Sequence, residues 1–220
     1  MKQNIILQHF DGELRELDKL SIDNIKGYAK LIGADYELIK GKPFREHLTS
    51  PCQKVYCIDK HWDNYNIVLM LDIDVFVRKN LQTNIFDIPG NGIHGTTQSK
   101  LKEKLIKLGK IKSNNPYWAG SIYKFNLEER QLLRSVMPKI DNWMNVYNQP
   151  YHFEDEGILA ELASMAKMKE SYLDFSWNQC SFLPKPEKAN MIHVRTKITS
   201  QGPKRLKIEN YMDLIQRGIL

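Results

Sequence analysis

The chain has 220 residues, of which 42% are hydrophobic and 26% charged, and its 32 Lys and Arg against 26 Asp and Glu give a formal net charge of +6. This composition is typical of a globular protein that can bury a stable core, and it excludes disordered and fibrous classes. The longest apolar run, Ile67–Leu71, is far shorter than the ~20 residues that cross a bilayer. The 3 cysteines lack metal-ligand spacing, which argues against a zinc site or a disulfide framework.

Strand patterns and helix patterns alternate along the chain. In the first helical pattern Ser21 is a candidate N-cap and Gly33 a candidate C-cap, and Ser50 precedes a proline at the start of the next one. The predicted strands are residues 5–7, 36–39, 67–71, 93–97, 118–125 and 191–194. The predicted helices are residues 22–32, 50–62, 100–110, 127–137, 154–168 and 208–216. Alternation of this kind favours an α/β fold with a largely parallel sheet.

Two carboxylates follow the most apolar strand directly. Asp72 and Asp74 are separated by one residue after Ile67–Leu71, and open α/β sheets bind ligands beyond the carboxyl ends of their strands. Carboxylate oxygens suit Mg²⁺ or Mn²⁺, which keep further positions for water and substrate phosphates. An Asp-x-Asp spacing alone is common, but buried strand-end carboxylates are costly unless they are paired, capping or metal-bound. The alternative is a loop in which one Asp caps the next element.

This region resembles a known family. Residues 63–77 resemble the DxD segment of GT-A glycosyltransferases, which use nucleotide-sugar donors, and residues 24–29 and 33–36 are similar to the first helix and second strand of those enzymes. The strand at 118–123 resembles the one that lines their sugar pocket, although Trp118 replaces the usual Asn.

The resemblance extends to about residue 205. Asp155 and Glu156 resemble the acidic pair, often Asp-Gln, that holds the donor sugar, and His193 is similar to the late histidine that completes the metal site. Families related to glycogenin and the bacterial lipopolysaccharide galactosyltransferases follow this histidine with a Gly and a Lys-Pro-Trp, which are missing here. The lysine that would meet the diphosphate is therefore either Lys197 or Lys204.

The resemblance implies three groups of site residues. Mn²⁺ or Mg²⁺ would be ligated by Asp72, Asp74 and His193. Asp155 and Glu156 would be the catalytic pair, which positions the donor sugar or acts as a base on the acceptor in an inverting reaction. Contacts to the donor are implied for Gln8, His9, Asp11, Lys54, Asp72, Gly120, Ser121, Lys197 and Lys204.

The residues themselves leave ordinary structural roles open. A histidine at position 193 can be a core or surface side chain. Asp155 and Glu156 at a helix start also stabilise the helix dipole. Asp11 precedes a glycine and can belong to a surface turn. The Lys-rich residues 100–112 are expected to form a solvated helix face, and contact with an anionic acceptor or phosphates is the alternative.

We therefore expect a single GT-A domain over residues 1–220, with a mixed, mostly parallel sheet flanked by helices. Residues 1–90 would form the nucleotide-binding half, 91–205 the sugar and acceptor half, and 206–220 a terminal helix. The enzyme would move a hexose or deoxyhexose from a nucleotide-diphosphate sugar, with a UDP-sugar favoured, to a glycan or glycoprotein acceptor. The size and the lack of a recognisable signal peptide resemble bacterial or large-DNA-virus modules, so we expect a cytoplasmic protein, in the host cytoplasm if it is viral.

Two other functions remain open. Phosphatases of the haloacid dehalogenase type also place Asp-x-Asp after an apolar strand. They usually have Thr or Val where this chain has Phe76. They also need a late loop with paired aspartates, and the sequence after Asp155 has none. The positive charge would suit a nucleic-acid-binding module, yet the chain lacks the motifs of the common nucleic-acid-binding folds. We therefore predict no nucleic-acid partner.

Overall fold

The computed structural model describes residues 3–94, 99–109, 111–137, 154–199 and 202–220. The strands are β1 (Ile5–Phe10), β2 (Asp35–Lys40), β3 (Ile67–Leu71), β4 (Val75–Val77), β5 (Gly92–His94), β6 (Trp118–Asn126), β7 (Gln179–Cys180), β8 (Met191–His193), β9 (Lys197–Thr199) and β10 (Gly202–Arg205). The α-helices are α1 (Glu16–Leu31), α2 (Ser99–Lys107), α3 (Leu127–Val136), α4 (Glu154–Met165) and α5 (Lys207–Gln216).

A five-stranded sheet with the order β2-β1-β3-β6-β5 forms the centre of the fold. Strand β1 is parallel to both β2 and β3, whereas β6 is antiparallel to β3 and to β5. Four strands therefore run in one direction and β6 runs in the other. The predicted α/β class with a mixed, mostly parallel sheet is confirmed.

Strand β3 lies in the middle of this sheet and is covered on both sides. Val68 and Met70 belong to one hydrophobic cluster, and Leu69 and Leu71 belong to another. Because successive side chains of a strand point to opposite faces, the continuous apolar run is explained by helices and turns packing on each face. This burial leaves the carboxyl end of β3 as the point where the chain becomes polar.

Two smaller sheets lie beside the central one. Strands β4, β8 and β7 pair in the order β4-β8-β7, and β9 pairs with β10 as an antiparallel hairpin. Only β8 among these five short strands was predicted from the sequence, because two to four residues carry too little periodicity for a pattern to emerge.

The first helix begins earlier than predicted. Helix α1 starts at Glu16, because the Asp18 carboxylate accepts a hydrogen bond from the Arg15 backbone N–H at 3.0 Å and so caps the first turn. Ser21 is therefore inside the helix, is buried, and donates its hydroxyl to the Val75 carbonyl at 2.7 Å. The helix ends as predicted at Gly33, whose positive φ of 67° suits a glycine after a C-cap.

Other predicted boundaries also differ from the structure. Residues 50–62 form two 3₁₀ segments, Ser50–Ile58 and Lys60–Trp62, because Asp59 has an extended backbone and its side chain caps the second segment. Helix α4 ends at Met165 rather than at 168, since Lys167 adopts a left-handed conformation. Strand β5 ends at His94, and the rest of the predicted strand lies outside the described residues.

No helix in the described ranges combines the length and the apolarity that a membrane crossing requires.

The division of the domain at about residues 90 and 205 stays a prediction.

Candidate active site

Three side chains meet at the carboxyl end of β3. Asp72 directly follows the strand, and its backbone N–H donates to the Ser121 carbonyl of β6 at 3.0 Å. Strand β4 then pairs with β8 so that Val75 lies opposite His193. His193 Nε2 lies 2.9 Å from Asp74 Oδ1 and 3.6 Å from Asp72 Oδ2. One ligand atom from each of the three residues lies within 4.8 Å of the others.

Asp74 lies between an imidazole and an ammonium group. Its Oδ1 faces His193 and its Oδ2 contacts the ammonium of Lys207, the first residue of α5. Burial disfavours the carboxylate of Asp74, which is only 6% exposed, but its contacts with His193 and Lys207 outweigh burial and hold its pKa well below the usual range. Asp74 is therefore ionised at neutral pH.

Lys54 links this cluster to a second acidic group. The lysine lies in the Ser50–Ile58 segment, and its Nζ is 2.6 Å from Asp72 Oδ1 and 2.8 Å from Asp155 Oδ2. It also donates to the Gly120 carbonyl at 2.5 Å. Burial opposes the charge of Lys54, but the two carboxylates outweigh burial and raise its pKa. A fixed ammonium therefore joins Asp72 to Asp155.

The acidic pair at the start of α4 is buried against β6. Asp155 Oδ2 accepts a hydrogen bond from the Tyr123 hydroxyl at 2.7 Å. Glu156 Oε1 accepts from the Gly120 N–H at 2.6 Å, and Oε2 accepts from the Tyr117 hydroxyl at 3.0 Å. Burial raises the pKa of both acids, and for Glu156 burial and the nearby charge of Asp155 raise it to about 8.

Two residues of β6 bring these groups together. A Cβ on Gly120 would lie 2.9 Å from Glu156 Oε1 and 3.0 Å from Asp155 Oδ2, which explains why a glycine stands here. Ser121 is buried, and its hydroxyl accepts a short hydrogen bond from the Asn178 amide. Strand β6 thus contacts the DxD segment through Ser121 and the acidic pair through Gly120.

Comparison with solved structures identifies the architecture. One neighbour is a glycosyltransferase involved in the glycosylation of the major capsid of PBCV-1, at 12% identity and a TM-score of 0.59, with 97% of this chain and 99% of that chain covered. Another is the galactosyltransferase LgtC in complex with donor and acceptor sugar analogs, at 14% identity and a TM-score of 0.54, with 86% of each chain covered. The chain has the GT-A glycosyltransferase fold. No protein-family model matches the sequence, and no curated protein sequence is significantly similar to it.

In this GT-A fold the three-residue cluster has the donor set that a divalent cation requires. Two carboxylates and an imidazole are suitable ligands for Mn²⁺ or Mg²⁺. One oxygen of each carboxylate and one nitrogen of the imidazole lie close enough together to share one ion. Asp72, Asp74 and His193 therefore fit a divalent cation.

The donor contacts predicted near β1 differ in position, because the strand extends to Phe10 and therefore contains Gln8 and His9. Gln8 is fully buried and donates to the Asp72 carbonyl at 3.1 Å, so it lies behind the DxD segment. His9 is also buried, with Nε2 2.7 Å from the Gly41 carbonyl, and burial lowers its pKa. Asp11 is exposed in the following turn.

Residues 195–207, which are rich in Lys and Arg and are called the basic tail below, contribute a residue that the sequence did not single out. The side chains of Lys197 and Lys204, the two predicted diphosphate lysines, lie outside the described part of the chain. The ammonium of Lys207 contacts Asp74 instead, and this contact depends on the packing of α5 next to the cluster. Tyr117 and Tyr123 were also not predicted, since aromatic residues in a buried strand carry no signal for a hydroxyl partner.

Proposed function

We propose that this chain is a metal-dependent glycosyltransferase that moves a hexose or deoxyhexose from a nucleotide-diphosphate sugar, with a UDP-sugar favoured, to a glycan or glycoprotein acceptor. The observation that carries the proposal is the cluster of Asp72, Asp74 and His193 joined through Lys54 to Asp155. The donor and acceptor sugar analogs bound to LgtC support a sugar-transfer reaction on this fold.

The cluster would bind the diphosphate end of the donor. A Mn²⁺ or Mg²⁺ held by Asp72, Asp74 and His193 would offset the charge of the departing nucleoside diphosphate. The basic tail adds positive charge on the same side through Lys207, and we propose Lys197 and Lys204 as further diphosphate contacts. Positive charge fixed beside a leaving group that becomes more negative lowers the barrier to transfer.

The acidic pair would position the donor sugar. Lys54 and Tyr123 fix the carboxylate of Asp155, and its contact with Lys54 keeps it next to the cluster. Glu156 holds the Gly120 backbone, and its raised pKa of about 8 makes it mainly protonated at neutral pH. We therefore propose that Asp155 binds the donor sugar and that Glu156 holds the Gly120 backbone beside it.

Residues at the carboxyl end of β1 and just after it would complete the nucleotide site. Gln8 contacts the backbone of Asp72, so we propose that it positions the DxD segment. His9 and Asp11 lie at the end of the same strand, and we propose that they border the base and ribose. Gly120 and Ser121 would line the sugar side through the backbone of β6.

A nucleotide-binding experiment tests this function. Thermal denaturation should be measured with UDP, GDP and dTDP, each with and without Mn²⁺, because a ligand that binds the folded state raises its apparent stability. We expect UDP with Mn²⁺ to give the largest rise in Tm, and Asp74→Asn to abolish it. Asp23→Asn, on the exposed side of α1, is the matched control and should respond like the wild type. The proposal is wrong if no nucleoside diphosphate raises the Tm in the presence of Mn²⁺ or Mg²⁺.

The alternative functions gain no support from the described residues. In the part of the chain that the structure describes, the metal cluster is completed by His193 and not by a late pair of aspartates as a haloacid-dehalogenase-type phosphatase would need.

The proposed cytoplasmic location stays a prediction.

A further inference from the structure

The ammonium of Lys207 lies beside the cluster of Asp72, Asp74 and His193. Its ammonium contacts Asp74 Oδ2, while His193 Nε2 lies 2.9 Å from Asp74 Oδ1. Both oxygens of the central carboxylate are therefore engaged by cationic or hydrogen-bonding groups of the protein. Lys207 is 133 positions from Asp74 in the sequence, so this contact depends on the docking of α5 against the DxD segment.

The groups around the cluster differ in how firmly they are held. Lys54 has a side chain that is 10% exposed and makes contacts with two carboxylates and a carbonyl oxygen. His193 is likewise 10% exposed and lies within a paired strand. Lys207 has a side chain that is 31% exposed and lies in the first turn of α5. Of these three groups, Lys207 can withdraw with the least rearrangement.

We propose that Lys207 is an internal counter-ion that competes with the divalent cation for Asp74. The inference rests on the proposed function, because it assumes that Asp72, Asp74 and His193 ligate that cation. Two positive charges repel each other at contact distance, so Asp74 Oδ2 cannot serve the ammonium of Lys207 and a divalent ion equally well. Lys207 must leave Asp74 Oδ2 for the cluster to take the cation with its full set of oxygens.

The same contact makes α5 responsive to the cation. Lys207 is the first residue of α5, so withdrawal of its side chain breaks a contact between this helix and the DxD segment. The coupling between two ligands of one site is reciprocal, so the lysine weakens cation binding as much as the cation weakens the lysine contact. A protein without this ammonium should bind the cation more tightly and without the competing step.

Direct titration of Mn²⁺ into the nucleotide-free full chain, by calorimetry or by electron paramagnetic resonance of free Mn²⁺, tests the proposal. We expect Lys207→Met to bind Mn²⁺ roughly tenfold tighter or more, because a unit positive charge beside the ligands has been removed. Lys207→Gln is the second variant, in case the methionine disturbs folding. Arg205→Met is the matched control, since it removes the same charge two residues away, where Arg205 pairs with Asp213 at 3.3 Å.

The outcomes separate this inference from the proposed function. Wild-type affinity or weaker binding in both Lys207 variants overturns the competition, as does an equal gain in Arg205→Met, which would indicate a general charge effect. If Asp74→Asn still abolishes Mn²⁺ binding in that case, the proposed function stands while the inference fails. If neither the wild type nor the Lys207 variants bind Mn²⁺, both are wrong.

Discussion

Gly120 shows how a single residue can be required by the side chains around it. The carboxylates of Asp155 and Glu156 occupy the space that any larger side chain would need. The residue type at position 120 therefore follows from the acidic pair and not from a turn, since its φ is not among the positive values found for other glycines.

Gly120→Ala should destabilise the fold and disturb the acidic pair. The added methyl would meet Glu156 Oε1 at 2.9 Å, and overpacking of this kind costs about 1–3 kcal/mol. Gly27→Ala on α1 is the control, because nothing lies within 4 Å of its added Cβ and alanine in a helix is favoured by about 0.5–1 kcal/mol. Urea denaturation measures both changes. Equal stability of the two variants would contradict this explanation of the glycine.

Glu156 should give the folded state a measurable dependence on pH. Its pKa rises from 4.5 to about 8 on folding, so between these values the folded state binds the proton that the unfolded state has lost. Stability must therefore fall as pH rises from 5 to 8, by at most about 1.4 kcal/mol per pH unit from this group. Glu156→Gln removes the titration and should flatten the slope of the unfolding free energy against pH. Identical slopes in the two proteins would show that Glu156 does not titrate in this range.

At the scale of elements, the short strand β4 is the one that aligns the site. It pairs with β8 on one side, which places His193 near Asp74. On the other side Asn24 of α1 completes its hydrogen bonding, because its amide accepts from the Val77 N–H at 2.7 Å and donates to the Val77 carbonyl at 3.1 Å. The Asn24 side chain therefore gives Val77 the two hydrogen bonds that a neighbouring strand would otherwise provide.

Asn24→Ala should weaken both the fold and the cation site. The Val77 N–H and carbonyl would lose their partners, and leaving buried polar groups unsatisfied costs about 1–3 kcal/mol. Because β4 pairs with β8, a less firmly held β4 should also displace His193 and so weaken Mn²⁺ binding. Asp23→Ala, the exposed neighbour on α1, controls for the loss of a polar side chain on the same helix. Loss of stability with unchanged Mn²⁺ affinity would mean that β4 does not align His193.

The elements also show where sequence patterns succeed. Strands β1 and β3 were predicted because their apolar runs are buried on both faces, as in Ile67–Leu71. The start of α1 was misplaced because Ser21 is a good capping residue, and its real partner, the Val75 carbonyl, is remote in sequence. Strands β9 and β10 were missed because their pairing with each other, and not a local period, makes them strands.

At the scale of the whole molecule, the candidate site is assembled from segments far apart in the chain. The DxD spacing, the late histidine and the acidic pair could be singled out because each resembles a short segment of GT-A glycosyltransferases. Their connection through Lys54 and the approach of Lys207 could not, because both depend on how the Ser50–Ile58 segment and α5 pack around β3.

This assembly also changes the meaning of the net charge of +6. The basic tail supplies a positive group directly to the most buried carboxylate of the cluster, so part of the excess has a local partner. Under the proposed function, this charge would suit an anionic small-molecule donor held next to a metal ion. An isolated basic surface would instead have favoured a polyanion.

The most direct test of the central claim is the release of nucleoside diphosphate from a panel of nucleotide sugars in the presence of Mn²⁺. The wild type should release UDP from at least one UDP-sugar, chelation of the metal should stop the reaction, and Asp74→Asn should lower the rate about 100-fold or more, as expected for loss of a group that stabilises developing charge. Asp23→Asn should keep the wild-type rate. Release that persists unchanged in Asp74→Asn or in the presence of a chelator, or its absence with every nucleotide sugar tested, would contradict the account.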